Sequence, residues 1–242
     1  MRFSFLGTGF IFPTHLRAIQ EVGGEIVGYD TNEDCVVILA PNDKHFSLCL
    51  QEVKKGKKVL CEKPLVISSV DAKILAQFPN IYTVFQLRHH PILKEIEVKD
   101  INHIDMDISV HRDDKYFNSW KGQNERSGGI IFNLGIHFFD VLIQLFGFPT
   151  HWETFHFDIK GASGLMRGDK YECNWRLKLD EDKKTQRRVL KINQKEYNLS
   201  AKENLAYENL HKYVYQDLLE GKGVQAKEVV ELIHLLEKLS LK

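Results

Sequence analysis

A lysine stands between a carboxylate and a proline at Glu62-Lys63-Pro64, where the apolar run VLC ends. Proline biases the residue before it toward extended backbone, and an X–Pro bond is the one peptide bond that is sometimes cis. A backbone stiffened in this way aims its side chain. An ammonium so aimed can hold a hydroxyl and stabilise an alkoxide. On a plain surface turn the same dipeptide does nothing, so its company decides. Pro41-Asn42 and Gln86-Leu87-Arg88 end the neighbouring apolar runs, which places Lys63 in a cleft at strand ends.

A second group lies in SGGIIFNLGIHFFD, positions 127–140. Gly128 and Gly129 permit close backbone approach. Asn133 and His137 are four positions apart and share a helical face. His137, Asp140 and Gln144 form one polar stripe on a helix whose other face carries Ile136, Phe139, Ile143 and Phe146. A core helix carries such a stripe when it lines a cavity or pairs internally. An imidazole there suits a general base near neutral pH.

The third group is Gly7-Thr8-Gly9, between a strand and a helix, with Asp30 about 20 residues downstream. Small residues let a pyrophosphate approach a helix N-terminus. An acid at that distance suits a ribose hydroxyl and repels a 2′-phosphate, which favours NAD over NADP. Phe12 stands where the third glycine of the fingerprint falls, so the match is partial.

These groups need elements to position them. RFSFLGTGF reads as a strand ending in glycines, Pro13 to Val22 as a helix, and EIVGYD and CVVILAPN as the second and third strands. KHFSLCLQEVKKG is an amphipathic helix, KVLCEKP a strand, SSVDAKILAQF a capped helix and IYTVFQLR a strand. This alternation predicts a parallel, doubly wound sheet through residue 87. Beyond it, HIDMDISVH alternates as a half-solvated strand does. GIHFFDVLIQLFG is a helix stopped by Gly147 and Pro149, and positions 152–200 read as antiparallel strands. The charge run DEDKKTQRR, positions 180–188, reads as a hairpin turn. ENLAYENLHKYVYQDLLEG and AKEVVELIHLLEKL close the chain as helices. The expected class is α/β: a shortened Rossmann-like parallel-sheet domain, 1–87, then an α+β domain with an open antiparallel sheet, 88–242.

The link after Asp30 is too short. Only Thr31 to Asp34 separate the second strand from the third, whereas a parallel crossover takes about 10–12 residues. The link spans about 18 Å at most. Either the usual edge strand is absent and the link is stretched, or EIVGYD and CVVILA form a hairpin, which would carry Asp30 away from a ribose.

The 242 residues are 43% hydrophobic and 27% charged with zero formal net charge. That composition is globular, and its balance argues against a nucleic-acid or membrane-surface protein. The apolar runs fall short of the ~18 residues of a membrane span, and no signal peptide is evident. Cys35, Cys49, Cys61 and Cys173 form no CxxC pair, which suits a reduced cytoplasmic compartment. His89, His90, His103 and His111 form no metal-ligand pattern, so no metal is expected.

Together GTGFIFPTHLRAI, CEKPL, QLRHHP and SWKGQNERSGGIIFNLGIHFFD resemble the Gfo/Idh/MocA oxidoreductases, whose EKP strand end and GGxxxxxGxHxxD helix are signatures. Within that family the chain is similar to the UDP-N-acetyl-2-amino-2-deoxyglucuronate 3-dehydrogenases of lipopolysaccharide O-antigen synthesis. The resemblance implies NAD across the strand ends: Gly7 and Gly9 under the pyrophosphate, Asp30 near the ribose, and Pro41, Asn42 and Glu62 on the nicotinamide side. Phe10, Ile11, His45, Lys63 and Gln86 complete the implied coenzyme contacts. His137 would take the C3 hydroxyl proton, Lys63 would fix that hydroxyl, and Asn133 would orient the sugar. Arg88, Trp120 and Lys121 would meet the carboxylate or diphosphate of a UDP-sugar acid. A homotetramer or homodimer through the open sheet face is likewise implied. The short link keeps an alternative open: a weakened relative that binds a sugar nucleotide or partner subunits without turnover.

Overall fold

The structure is a computed structural model that describes residues 1–99, 101, 103–180, 182–200 and 207–241. In chain order its elements are β1 (Arg2–Leu6), α1 (Phe12–Glu21), β2 (Glu25–Ile26), β3 (Cys35–Ile38), α2 (Asn42–Lys54), β4 (Lys58–Cys61), α3 (Ser69–Leu75) and β5 (Ile81–Thr83). Then come β6 (His103–His111), α4 (Asp114–Phe117), α5 (Asn124–Ser127), α6 (Ile136–Phe146), β7 (His151–Phe157), β8 (Gly161–Gly168), β9 (Tyr171–Asp180), β10 (Arg187–Ile192) and β11 (Lys195–Asn198). Helices α7 (His211–Leu219) and α8 (Val230–Leu239) follow. The closing helix expected over ENLAYENLHKYVYQDLLEG has its 203–206 portion outside the described residues.

The chain divides into two compact units, Met1–His89 with Lys202–His234, and His90–Ala201 with Leu235–Lys242. A single cut near residue 87 therefore misses a return of the chain. Val214, Tyr215 and Leu218 of α7 are buried in the same core as Phe3, Ile19, Val37 and Leu60. The Tyr215 ring meets Phe3 edge-on at 5.4 Å. Past α7 the chain also covers the edge of β5, where Thr83 N donates to Val224 O at 2.9 Å. An exposed strand edge is a template for unwanted pairing, and this segment occupies it.

The first unit holds a parallel sheet of order β2-β1-β3-β4-β5. Its registers settle the short link. Ile26 of β2 and Cys35 of β3 both stand level with Phe3 of β1. Strand β2 is clipped to two residues, so the link has no strand length to descend and crosses β1 at its amino end. No hairpin forms, because β2 and β3 both run parallel to β1. Arg2 clamps the crossing: its backbone N donates to Asp34 Oδ2 at 2.8 Å and its Nη2 to Asp34 Oδ1 at 3.0 Å.

Among the described residues the second unit carries a six-stranded sheet of order β11-β10-β6-β9-β8-β7. It is mixed rather than purely antiparallel, since β6 and β9 pair in parallel. The helices and the β7–β8 pair between them in sequence supply the long connection that parallel neighbours need. β9 and β10 do not pair as the hairpin expected over 180–188 requires: among the described residues β10 pairs with β6, which lies between it and β9. Ile104, Met106, Ile108 and Val110 of β6 and Trp175 and Leu177 of β9 are buried. On the other face Asp107 joins Arg176 at 2.7 Å and Arg187 at 2.9 Å. Phe139 of α6 packs edge-on against Trp175 at 5.3 Å. The helical run Asn124–Phe146 is long and apolar enough to span a membrane, yet 72% of its most apolar window is buried inside the fold.

If α7 completes the first core, Leu218→Ala should lower unfolding free energy by about 2–5 kcal/mol. Leu219→Ala, on the exposed side of the same helix, should cost about 0.5 kcal/mol or less. Urea denaturation of the two variants checks this; equal losses would place α7 outside that core.

Candidate active site

The ends of β1, β3, β4 and β5 meet at the carboxyl edge of the first sheet. Leu39 N donates to Leu6 O at 2.8 Å, Glu62 N to Ile38 O at 3.0 Å, and Val84 N to Cys61 O at 3.1 Å. This ladder sets Gly7, Pro41, Glu62, Lys63 and Gln86 just beyond neighbouring strands. Gly7 has φ +105°, and a Cβ there would lie 2.8 Å from the carbonyl of Leu39. Only glycine lets the turn pack so closely on the exit of β3. Helix α1 then begins without a side-chain cap and without an acid in its first turn. An uncapped N-terminus of this kind suits a phosphate group, so the glycine turn fits a dinucleotide.

Buried His45 ties two of these exits together. Its Nδ1 lies 2.7 Å from Pro64 O and its Nε2 lies 2.9 Å from Ala40 O. The Lys63–Pro64 bond is cis.

Glu62 at this edge is held from three sides. His15 Nε2 of α1 lies 2.9 Å from Glu62 Oε1, and His211 Nε2 of α7 lies 3.5 Å from the same oxygen. The second oxygen accepts from Lys63 N at 3.1 Å. Burial alone would raise this carboxyl, but the imidazole hydrogen bonds outweigh it and hold Glu62 well below the usual carboxylate range. Burial also pushes His15 below the ordinary imidazole value, against the pull of Glu62. Tyr215, pushed well above the usual phenol value by burial, keeps its proton and lies 2.7 Å from His15 Nδ1. Tyr215 O–H thus donates to Nδ1, and the Nε2–H of a neutral His15 donates to Glu62. His15, Glu62 and His211 bring three potential ligand atoms within 4.8 Å of one another. No spacing rule reveals this cluster, because its members lie in three separate stretches of sequence.

Asp30 is not at this edge. Its Oδ1 lies 4.0 Å from Lys55 Nζ, just past the C-terminal end of α2. That helix starts where β3 ends and runs back about 20 Å to the amino end of β4. The expected ribose acid therefore sits at the opposite edge of the sheet, because β2 stops level with Phe3 and the chain turns away before reaching the carboxyl side. Tyr29 follows it there, with its O–H donating to Glu52 Oε1 at 2.8 Å.

In the second unit, Gly128 (φ +78°) and Gly129 (φ +71°) turn the chain into a π-helical turn, Ile131–Gly135, which leads into α6. Such turns are frequent at functional sites. Asn133 and His137 are half-buried on an otherwise buried face, and Asp140 is buried. Asn133 Nδ2 donates to Lys121 O at 3.3 Å. The Lys121 ammonium lies over the Trp120 ring at 5.8 Å. Two further residues join this group. The Arg112 guanidinium stacks on Tyr116 at 5.2 Å, and burial lowers its pKa. Burial raises Tyr116, against its hydrogen bonds to Arg112 and Asn133. The sequence signal for them was a cation and an aromatic four apart just after a strand. In the first unit, Arg88 lies over the Phe85 ring at 5.2 Å.

Comparison with known proteins matches two halves of one family. Residues 25–80 fit its NAD-binding Rossmann fold and residues 93–157 its C-terminal alpha/beta domain. The chain belongs to the Gfo/Idh/MocA oxidoreductase family. Within it, the chain is 29% identical to the uncharacterised oxidoreductase YdgJ of Escherichia coli over 50% of its own length and 38% of that protein's. It is 30% identical to inositol 2-dehydrogenase 2 of Saccharopolyspora erythraea over 58% of its own length and 42% of that protein's. The chain thus spans less than half the length of either relative. Among solved structures, the WlbA (WbpB) dehydrogenase of Thermus thermophilus, in complex with NAD and UDP-GlcNAcA, superposes with a TM-score of 0.88 at 26% identity. That superposition covers 100% of this chain and 95% of the other.

The depressed His15 value sets an acid dependence of stability. Its neutral form contributes fully above the unfolded value of about 6.5 and is lost as pH falls through the lower folded value. The urea midpoint should therefore drop between about pH 7 and pH 5. His15→Gln, which keeps a donor and an acceptor but does not titrate, should give a shallower drop; an unchanged slope would remove His15 from the account.

Proposed function

We propose that this chain is an NAD-dependent dehydrogenase that oxidises the C3 hydroxyl of a UDP-N-acetylglucosaminuronate-type sugar, in surface polysaccharide synthesis. The observation that carries this reading is the whole-length likeness to a dehydrogenase that binds NAD and UDP-GlcNAcA. The Glu62-Lys63-Pro64 exit and the Asn133/His137 face supply the matching chemistry.

In this reading the Gly7–Gly9 turn and the start of α1 hold the pyrophosphate. NAD, when bound, accepts a hydride from the sugar carbon. Lys63 donates a hydrogen bond to the C3 oxygen and offsets the charge that develops there. The Glu62 carboxylate fixes the backbone amide of Lys63 and so limits where the ammonium can go. The His137 imidazole takes the hydroxyl proton. The Asn133 side chain orients the sugar from a π-helical turn. Arg88, Trp120 and Lys121, and with them Arg112 and Tyr116 beside Asn133, would offer cations and aromatic faces to the sugar carboxylate or the diphosphate. The open face of the second sheet supports association of like chains as a dimer or tetramer, and the free, buried cysteines suit a cytoplasmic location.

The placement of Asp30 favours one competing reading, in which a weakened coenzyme site leaves a protein that binds the sugar nucleotide without turning it over. Absorbance of reduced coenzyme separates the two, because only a dehydrogenase accumulates it when given UDP-GlcNAcA. His137→Ala should lower that rate by about 10²–10⁴-fold while nucleotide binding, followed by coenzyme fluorescence, is retained. An undiminished rate would strip His137 of its role.

A further inference from the structure

We propose that the coenzyme site of this chain does not discriminate against a 2′-phosphate, so that it takes the 2′-phosphorylated pyridine dinucleotide, NADP(H), as well as NAD(H). The inference rests on the dehydrogenase reading above and concerns which coenzyme that site accepts.

Selectivity for NAD in this kind of sheet comes from an acid beyond the carboxyl end of the second strand. It hydrogen-bonds the ribose 2′-hydroxyl and repels a phosphate in its place. The segment from Glu25 to Asp34 holds four acids that could serve, and the structure places all four toward the amino edge. Glu25 stands opposite Arg2 in the β1–β2 register. Asp30 lies 4.0 Å from Lys55. Glu33 is buried against Lys57 at 3.3 Å, and Asp34 pairs with Arg2 at 3.0 Å.

The backbone excludes a simple rescue. Among the described residues, β2 pairs with β1 only at Arg2 and Phe3, with one further bond from Val27 N to Phe3 O at 2.9 Å. Beyond that point the chain leaves β1, so the side of Phe5 and Leu6 where a full second strand would deliver its acid receives none from this segment. The backbone at Asp30 also sits in a closed turn. It is left-handed, with φ 60°, and Thr31 Oγ1 closes the turn by donating to Gly28 O at 2.6 Å. Swinging the Asp30 carboxylate to the other edge would require the length of α2.

The test is direct binding of NADH and NADPH to the full chain, read by nicotinamide fluorescence, with wild type and Asp30→Asn. Asparagine tolerates the left-handed backbone, so the fold is preserved while the charge is removed. The two dissociation constants should agree within about threefold, and Asp30→Asn should move neither by more than that. NADH binding about tenfold tighter than NADPH in the wild type overturns the inference while leaving the dehydrogenase reading intact. A gain in NADPH affinity in Asp30→Asn also overturns it, because the carboxylate would then reach the ribose. Failure to bind either dinucleotide overturns both the inference and the reading beneath it.

Discussion

A largely buried carboxylate needs donors, and several features of the first unit supply them to Glu62. Left to burial, that side chain would take up a proton. It remains an anion because α1 brings His15, α7 brings His211, and the next peptide brings the Lys63 amide. Those donors come from positions spread over most of the chain, so the local charge at the exit of β4 is also a long-range constraint on the fold. Tyr215 adds a further layer by settling which nitrogen of His15 carries the proton. A carboxylate gripped from three directions has little freedom, and the lysine that follows inherits that order.

At the opposite edge of the same sheet, charge has a different use. Arg2 with Asp34, Lys57 with Glu33 and Lys55 with Glu52 pin a link that replaces a missing layer of structure. The last two carboxylates are buried, and an unpaired buried charge is strongly unfavourable. The pairs stabilise the shortened β2–β3 passage where a helix would otherwise cover it. In doing so they commit the acids of that segment away from the strand ends.

The parts of this arrangement that the sequence made legible are those carried by local signals. Gly7-Thr8-Gly9 after an apolar run, Pro64 after Lys63, and the glycines flanking GIHFFDVLIQLF each fix their own backbone. The structure places them at turn, strand exit and helix as their types dictate. What escaped was set by register and by distant partners. Asp30 has the spacing of a ribose ligand, but spacing counts residues and not the level at which β2 stops beside β1. The charge run at 180–188 has the composition of a hairpin turn, yet nothing in it reveals that β6 lies between the strands it joins. Arg112 and Tyr116 carry no distinctive local signal, because a cation and an aromatic after a strand are common. His15 and His211 look like ordinary helix residues until α7 is known to return to the first core.

That return has a consequence for how the protein comes to be made. During synthesis, amino-terminal elements leave the ribosome first and usually begin to fold as a unit. Here β1 to β5 emerge with Phe3 lacking Tyr215, the rim of β5 bare, and Glu62 one imidazole short, and they stay so until most of the second unit has been translated. The nascent first half is therefore an incomplete body held in waiting. Its window of exposure is set by the time the ribosome takes to translate from residue 90 to the end of α7.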